Sequence, residues 1–153
     1  MTKKIQNILC LLIIMSLQSF GQKYLKIMNK AQSYMDKKKY DKAIKLYDKV
    51  IELNPNYSSA FGNRAIAKAK KNNHKEAIID FDNAIAIKSK TKGLESLPYY
   101  TGLTYFNRGL SKRQIGDFNG AIADFTEAAN LNYEKNDCLE MISVCKVQIK
   151  NQP

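Results

Sequence analysis

The chain has no tryptophan and a single histidine, His74, among its 153 residues. One imidazole allows no paired-histidine metal spacing, and no set of residues brings together a nucleophile, a base and a group to orient the base. A glycine-rich phosphate loop is also missing. Three prolines and seven glycines are too few for a disordered or collagen-like chain, and 44% hydrophobic residues fit an ordered, mostly helical one. Cysteine is equally sparse: Cys10, Cys138 and Cys145. The last two are seven positions apart, ~10.5 Å of helical rise against the ~7 Å reach of a disulfide. No second His/Cys group accompanies them to make a metal site, so they are expected as buried free thiols. No catalytic residue, metal or cofactor is expected, and the chain reads as a non-enzyme.

What is present is repetition. Ala43, Tyr47, Val50 and Leu53 are followed by Ala77, Phe81, Ala84 and Ile87, and then by Ala121, Phe125, Ala128 and Leu131, the same small/aromatic/small/aliphatic order each time. Spacings of three and four place each set on one face of a helix, and a second helix precedes each. The copies start 34 and then 44 residues apart, so the second interval is one period plus a ten-residue insertion. A helical period of 34 marks a solenoid. At this length three copies and a cap are about the minimum for a stable one.

The order Tyr105, Gly109, Gly116-Asp117-Phe118, Ala121, Phe125 resembles the signature of the tetratricopeptide repeat family, and the likeness covers roughly Tyr24 to Tyr133. The resemblance implies an all-α, right-handed solenoid of antiparallel helix pairs with a C-terminal capping helix. On that frame the repeats fall at 22–57, 58–91 and 102–135, with the insertion at 92–101 and a capping helix and tail at 136–153. Ser96 and Pro98 read as the start of an early third-repeat helix. Tyr99 and Tyr100 are expected against the last helix of the second repeat. Ser58 or Ser59 is the expected N-cap of the second repeat, and Leu139, Ile142, Cys145 and Ile149 the inward face of the cap. Small residues at paired positions, such as Gly109 with Ala121, let the helices of a pair approach closely. Arg64 and Asp80, and Arg108 and Asp124, are each sixteen residues apart, a separation that joins two antiparallel helices in a pair.

The family's first helices line a concave groove that holds a peptide or a partner's helix. Carried onto this chain, the groove residues are Met28, Gln32, Met35, Asn63, Ile66, Phe106, Leu110 and Arg113, with Phe106 as the natural aromatic anchor. A subset of the family clamps a partner's C-terminal carboxylate with two lysines, two asparagines and an arginine. Only Asn63 falls on that pattern here. Met28, Gln32, Leu103 and Asn107 hold the other places, so chaperone-tail binding does not carry over.

Residues 1–21 differ in kind: Lys3 and Lys4, an apolar run from Ile8 to Leu17, then Ser19 and Gly21. This is the pattern of a cleavable secretory signal, cut after Gly21, and it points to export to the periplasm or cell envelope. Ten apolar residues rise only ~15 Å, half a ~30 Å hydrocarbon core. An uncleaved segment would instead place the protein on a membrane. The formal charge of +11 suits nucleic acid, anionic membrane or an acidic partner, and an exported chain meets little nucleic acid. The leading expectation is therefore an adaptor that binds a protein or peptide. The alternative is an electrostatic binder of acidic polymers or anionic membranes, and self-association through Tyr99, Tyr100 or the cap is a third class of contact.

Overall fold

The computed structural model describes residues 22–90 and 98–151. Residues 1–21, on which the secretory expectation falls, lie outside them, as does the insertion up to residue 97. Among the described residues there are seven helices and no strand. They are α1 (22–36), α2 (Tyr40–Leu53), α3 (Ser58–Lys70), α4 (His74–Lys90), α5 (Pro98–Gln114), α6 (Phe118–Asn130) and α7 (Lys135–Lys150). α1/α2, α3/α4 and α5/α6 are the pairs, each helix from α2 onward packs on the next in order, and α7 closes the end. None of these helices is long and apolar enough to cross a membrane.

The turn inside each pair is set by one residue with a left-handed backbone: Lys38 (φ 55°), Asn72 (φ 63°) and Gly116 (φ 83°), at equivalent positions of the three copies. Gly116 adopts this conformation at no steric cost, Asn72 at little, and Lys38 against its preference. Asp117 then caps α6, its Oδ1 accepting from the Gly120 N–H at 2.9 Å. The start of α3 differs from expectation. Its N-cap is Tyr57, and Ser58 is already helical and buried, because the turn after Pro55 delivers the chain one residue early.

The repeating stripe is the core. Ala43, Ala77 and Ala121 are fully buried, as are Tyr47, Phe81 and Phe125 one turn on. The close approach of paired helices is tightest where Gly109 faces Phe125: a β-carbon on Gly109 would lie 2.9 Å from the Phe125 ring. Gly102 is tighter still, its β-carbon position only 2.5 Å from Cβ of Tyr133.

Two local expectations are corrected. Tyr99 meets Tyr133, ring centroids 5.2 Å apart, while Tyr100 meets α4 as expected, its carbonyl accepting from Lys88. Leu139 is 53% exposed, and the inward face of α7 is carried instead by Cys138, Met141, Ile142 and Cys145. Cys138 sits one position from Leu139 and so takes the buried slot, its thiol donating to the Tyr133 carbonyl at 3.2 Å. Both Cys138 and Cys145 are buried and free.

Candidate functional site

α3 and α5 touch each other only slightly, and the gap between them is a cavity of about 330 Å³. Gly62, Asn63 and Ile66 of α3 form one wall, Leu103, Thr104 and Asn107 of α5 the other, and Phe81 and Lys88 of α4 close the floor. Gly62 matters by what it leaves out, since a β-carbon there would meet nothing within 4 Å. Lys88 is 92% buried in the floor by virtue of an 8% exposure, and its ammonium donates to the Tyr100 carbonyl and to Thr104 Oγ1, both at 2.8 Å.

The mixture of groups has a chemical meaning. Ile66, Phe81, Leu103 and the Tyr100 ring offer apolar surface that water hydrates poorly. Asn107 spends one amide hydrogen on the Leu103 carbonyl, at 2.8 Å. The half-buried Asn63 makes no side-chain hydrogen bond within the described residues. Its carboxamide offers two donors and an acceptor at the cleft wall.

Of the residues expected to line a groove, the structure brings Asn63 and Ile66 together in this cavity. Met28 and Met35 pack on the first core cluster with Ala31, Ala43 and Tyr47. Gln32 is exposed, its Nε2 donating to Asp36 at 2.9 Å. Phe106 and Leu110 pack on the third cluster, with the Phe106 ring 5.4 Å from that of Phe125 and 5.5 Å from that of Tyr133. Arg113 lies beside Met141, its Nη1 3.7 Å from the sulfur. Sequence reasoning did not place Phe81, Lys88 or Tyr100 at the cavity, and expected Tyr100 to pack on the last helix of the second repeat.

The two arginines play a different part. Arg64 binds Asp80 through Nε and Nη2 at 2.8 and 2.7 Å, and Arg108 binds Asp124 in the same way at 2.9 and 2.7 Å. Each also reaches back to the preceding pair, Arg64 to Asp48 at 2.6 Å and Arg108 to Asp82 at 2.5 Å. Burial opposes the charge on Arg108, but its hydrogen bonds and charge pairing with Asp124, and then with Asp82, hold its pKa above the usual arginine value. These arginines staple consecutive repeats and are spent on structure. Tyr47 is a second special case: its buried hydroxyl has no partner among the described residues, and burial, with Asp36 adding, pushes its pKa up to about 12.

Comparison with known proteins follows the same lines. Tetratricopeptide repeat models match residues 27–57, 46–79 and 103–135. Serine/threonine-protein phosphatase 5 of Homo sapiens is 27% identical over 126 residues, 82% of this chain and 23% of that protein. Hsc70-interacting protein 1 of Drosophila melanogaster is 30% identical over 105 residues, 69% of this chain and 25% of that protein. The chain thus spans about a quarter of the length of these curated relatives. Among solved structures, the first TPR domain of Spaghetti (RPAP3), bound to an HSP90 peptide, superposes with a TM-score of 0.73 at 23% identity, covering 85% of this chain and 95% of that one. With its three copies of the repeat, its paired helices and these matches, the chain belongs to the tetratricopeptide repeat family.

Proposed function

We propose that the protein is a non-enzymatic adaptor that holds a segment of a partner protein in the cleft between α3 and α5. The observation that carries this reading is the Asn63 carboxamide, without a side-chain hydrogen bond among the described residues, in a cavity of about 330 Å³ walled by Ile66, Phe81, Leu103 and Tyr100. Such a cleft accepts one or two apolar side chains, while the amide bonds the main chain that carries them. The fold supports the reading, since the RPAP3 domain of the same shape was solved with an HSP90 peptide. Of the carboxylate-clamp places only Asn63 fits, and Met28, Gln32, Leu103 and Asn107 hold the others, so the bound segment is recognised by apolar side chains and main chain rather than by a terminal carboxylate.

Gly62→Leu tests the site. Its side chain enters open space, so it fills the cleft without straining the helix. Peptides selected from a random library on the wild-type protein are expected to bind Gly62→Leu and Asn63→Ala at least about tenfold more weakly, as the loss of one well-placed contact implies. Selected peptides that bind both variants as tightly as wild type would place recognition elsewhere.

We also propose that the chain is exported to the periplasm or cell envelope, supported by the basic start and apolar run within residues 1–21. Intact-mass analysis of the exported protein should show loss of those 21 residues, and full-length chain in a membrane fraction would oppose cleavage.

A further inference from the structure

The positive charge is not spread along the solenoid. Residues 22–75 hold fourteen Lys and Arg against four Asp and Glu, whereas residues 98–151 hold six of each. In the body of the solenoid five cations are paired: Arg64, Lys68 and Lys71 on one side of the insertion, and Arg108 and Lys112 on the other, each contact a carboxylate. Those at the outer end of the first pair are not. There Lys23, Lys26 and Lys30 of α1 and Lys49 of α2 rim a hollow of about 560 Å³ floored by Ile27, Leu46 and Leu53, with Glu52 as the one acidic lining residue. All four lysines are exposed, and none forms an ion pair among the described residues.

A solenoid end needs a solvated outer face, and a mixture of charges would supply it. Four lysines around one glutamate repel each other and contribute nothing to the fold. The pattern is a basic rim on an apolar floor, in which Leu53 stays 39% exposed. That combination suits the interface of an anionic bilayer, where lysines meet phosphates and short apolar side chains reach the acyl boundary. A free acidic polymer would use the charge and leave the apolar floor uncovered.

We infer that the α1/α2 end face, through Lys23, Lys26, Lys30 and Lys49, seats the protein on anionic phospholipid. The cleft between α3 and α5 is then left open to its partner.

Lysine acetylation followed by mass spectrometry tests this on the full chain. With phosphatidylglycerol vesicles, labelling of Lys23, Lys26, Lys30 and Lys49 should fall at least about threefold relative to Lys135, Lys146 and Lys150 at the other end, and high salt should restore it. Phosphatidylcholine vesicles should leave the four lysines reactive. Equal protection by both lipids would assign binding to apolar insertion alone and overturn the proposal. Equal protection by polyglutamate at matched charge would also overturn it, in favour of an acidic polymer, as would no protection at all. In a second arm, the full chain with all four lysines changed to Gln should keep its unfolding midpoint and lose the phosphatidylglycerol-dependent part of its vesicle sedimentation. Undiminished sedimentation of that variant would also overturn the assignment.

Discussion

Arg108 holds Asp124 through two parallel hydrogen bonds, Nε to Oδ2 at 2.9 Å and Nη2 to Oδ1 at 2.7 Å, while its remaining terminal nitrogen reaches Asp82 of the preceding repeat. The two carboxylates differ in setting: the Asp124 side chain is 3% exposed and that of Asp82 is 55% exposed. Asp124→Ala takes the buried carboxylate from Arg108 and Lys112, whose side chains are 16% and 18% exposed, and should cost about 3 kcal/mol, the low end for a buried pair because Arg108 keeps Asp82. Asp82→Ala removes a solvated partner and should cost at most about 1 kcal/mol. Urea unfolding of the two variants checks this, and equal losses would mean that burial does not set the strength of these pairs.

The arginine pairs show how far the sequence can be read. Arg64 with Asp80 and Arg108 with Asp124 were legible because a separation of sixteen recurs in two copies. The second partners, Asp48 and Asp82, belong to the stacking of one repeat on the next, which no spacing within a repeat encodes. The cavity follows the same rule. Asn63 and Ile66 could be placed by the resemblance to the family, but Lys88 and Tyr100 reach it only because the chain departs from the repeat around the insertion. α4 runs on to Lys90, where α2 stops at Leu53 and α6 at Asn130, and α5 starts early at Pro98. Leu139 was misplaced because a helix face one residue wide of the cysteines has almost the same periodicity, and tertiary packing chose Cys138.

Tyr47 occupies the position of Phe81 and Phe125, yet its hydroxyl is buried without a partner among the described residues. An unsatisfied buried hydroxyl costs about 1–3 kcal/mol, so Tyr47→Phe should raise stability by roughly 1 kcal/mol. A lower melting temperature in the variant would indicate that the hydroxyl has a partner in solution.

The same residue gives the protein an alkaline limit. An unfolded tyrosine titrates near 10, and folded Tyr47 near 12, because burial disfavours the phenolate. Between those values the unfolded chain holds fewer protons, so the contribution of Tyr47 is full below pH 10 and is lost as pH rises through about 12. Denaturation midpoints should fall less steeply over that window in Tyr47→Phe than in wild type. Identical slopes would remove Tyr47 as a source of the alkaline loss.

Lys38 takes the left-handed conformation that Gly116 adopts in the third copy. A non-glycine residue there costs about 1–2 kcal/mol, part of which returns as chain entropy when glycine is used. Lys38→Gly should therefore stabilise by about 0.5–1 kcal/mol. A loss of stability would show that this turn relaxes away from positive φ.

Phe106 separates packing from binding. Its ring lies against Phe125 and Tyr133, with centroids 5.4 and 5.5 Å away, in the cluster joining α5, α6 and α7. Ile66 and Leu103 face the cavity, Leu103 while also touching the edge of that cluster. Removing the ring leaves a void between two helices and should cost about 3 kcal/mol, the low end for phenylalanine because the side chain is only half-buried. Leu103→Ala trims a cavity wall that already borders open space, so its stability loss should be smaller and its effect on captured peptide larger. Thermal unfolding followed by circular dichroism, paired with peptide affinity on the same two variants, reads both quantities. If Phe106→Ala kept its melting temperature and lost peptide, the binding groove would have to run along the C-terminal half of α5 instead.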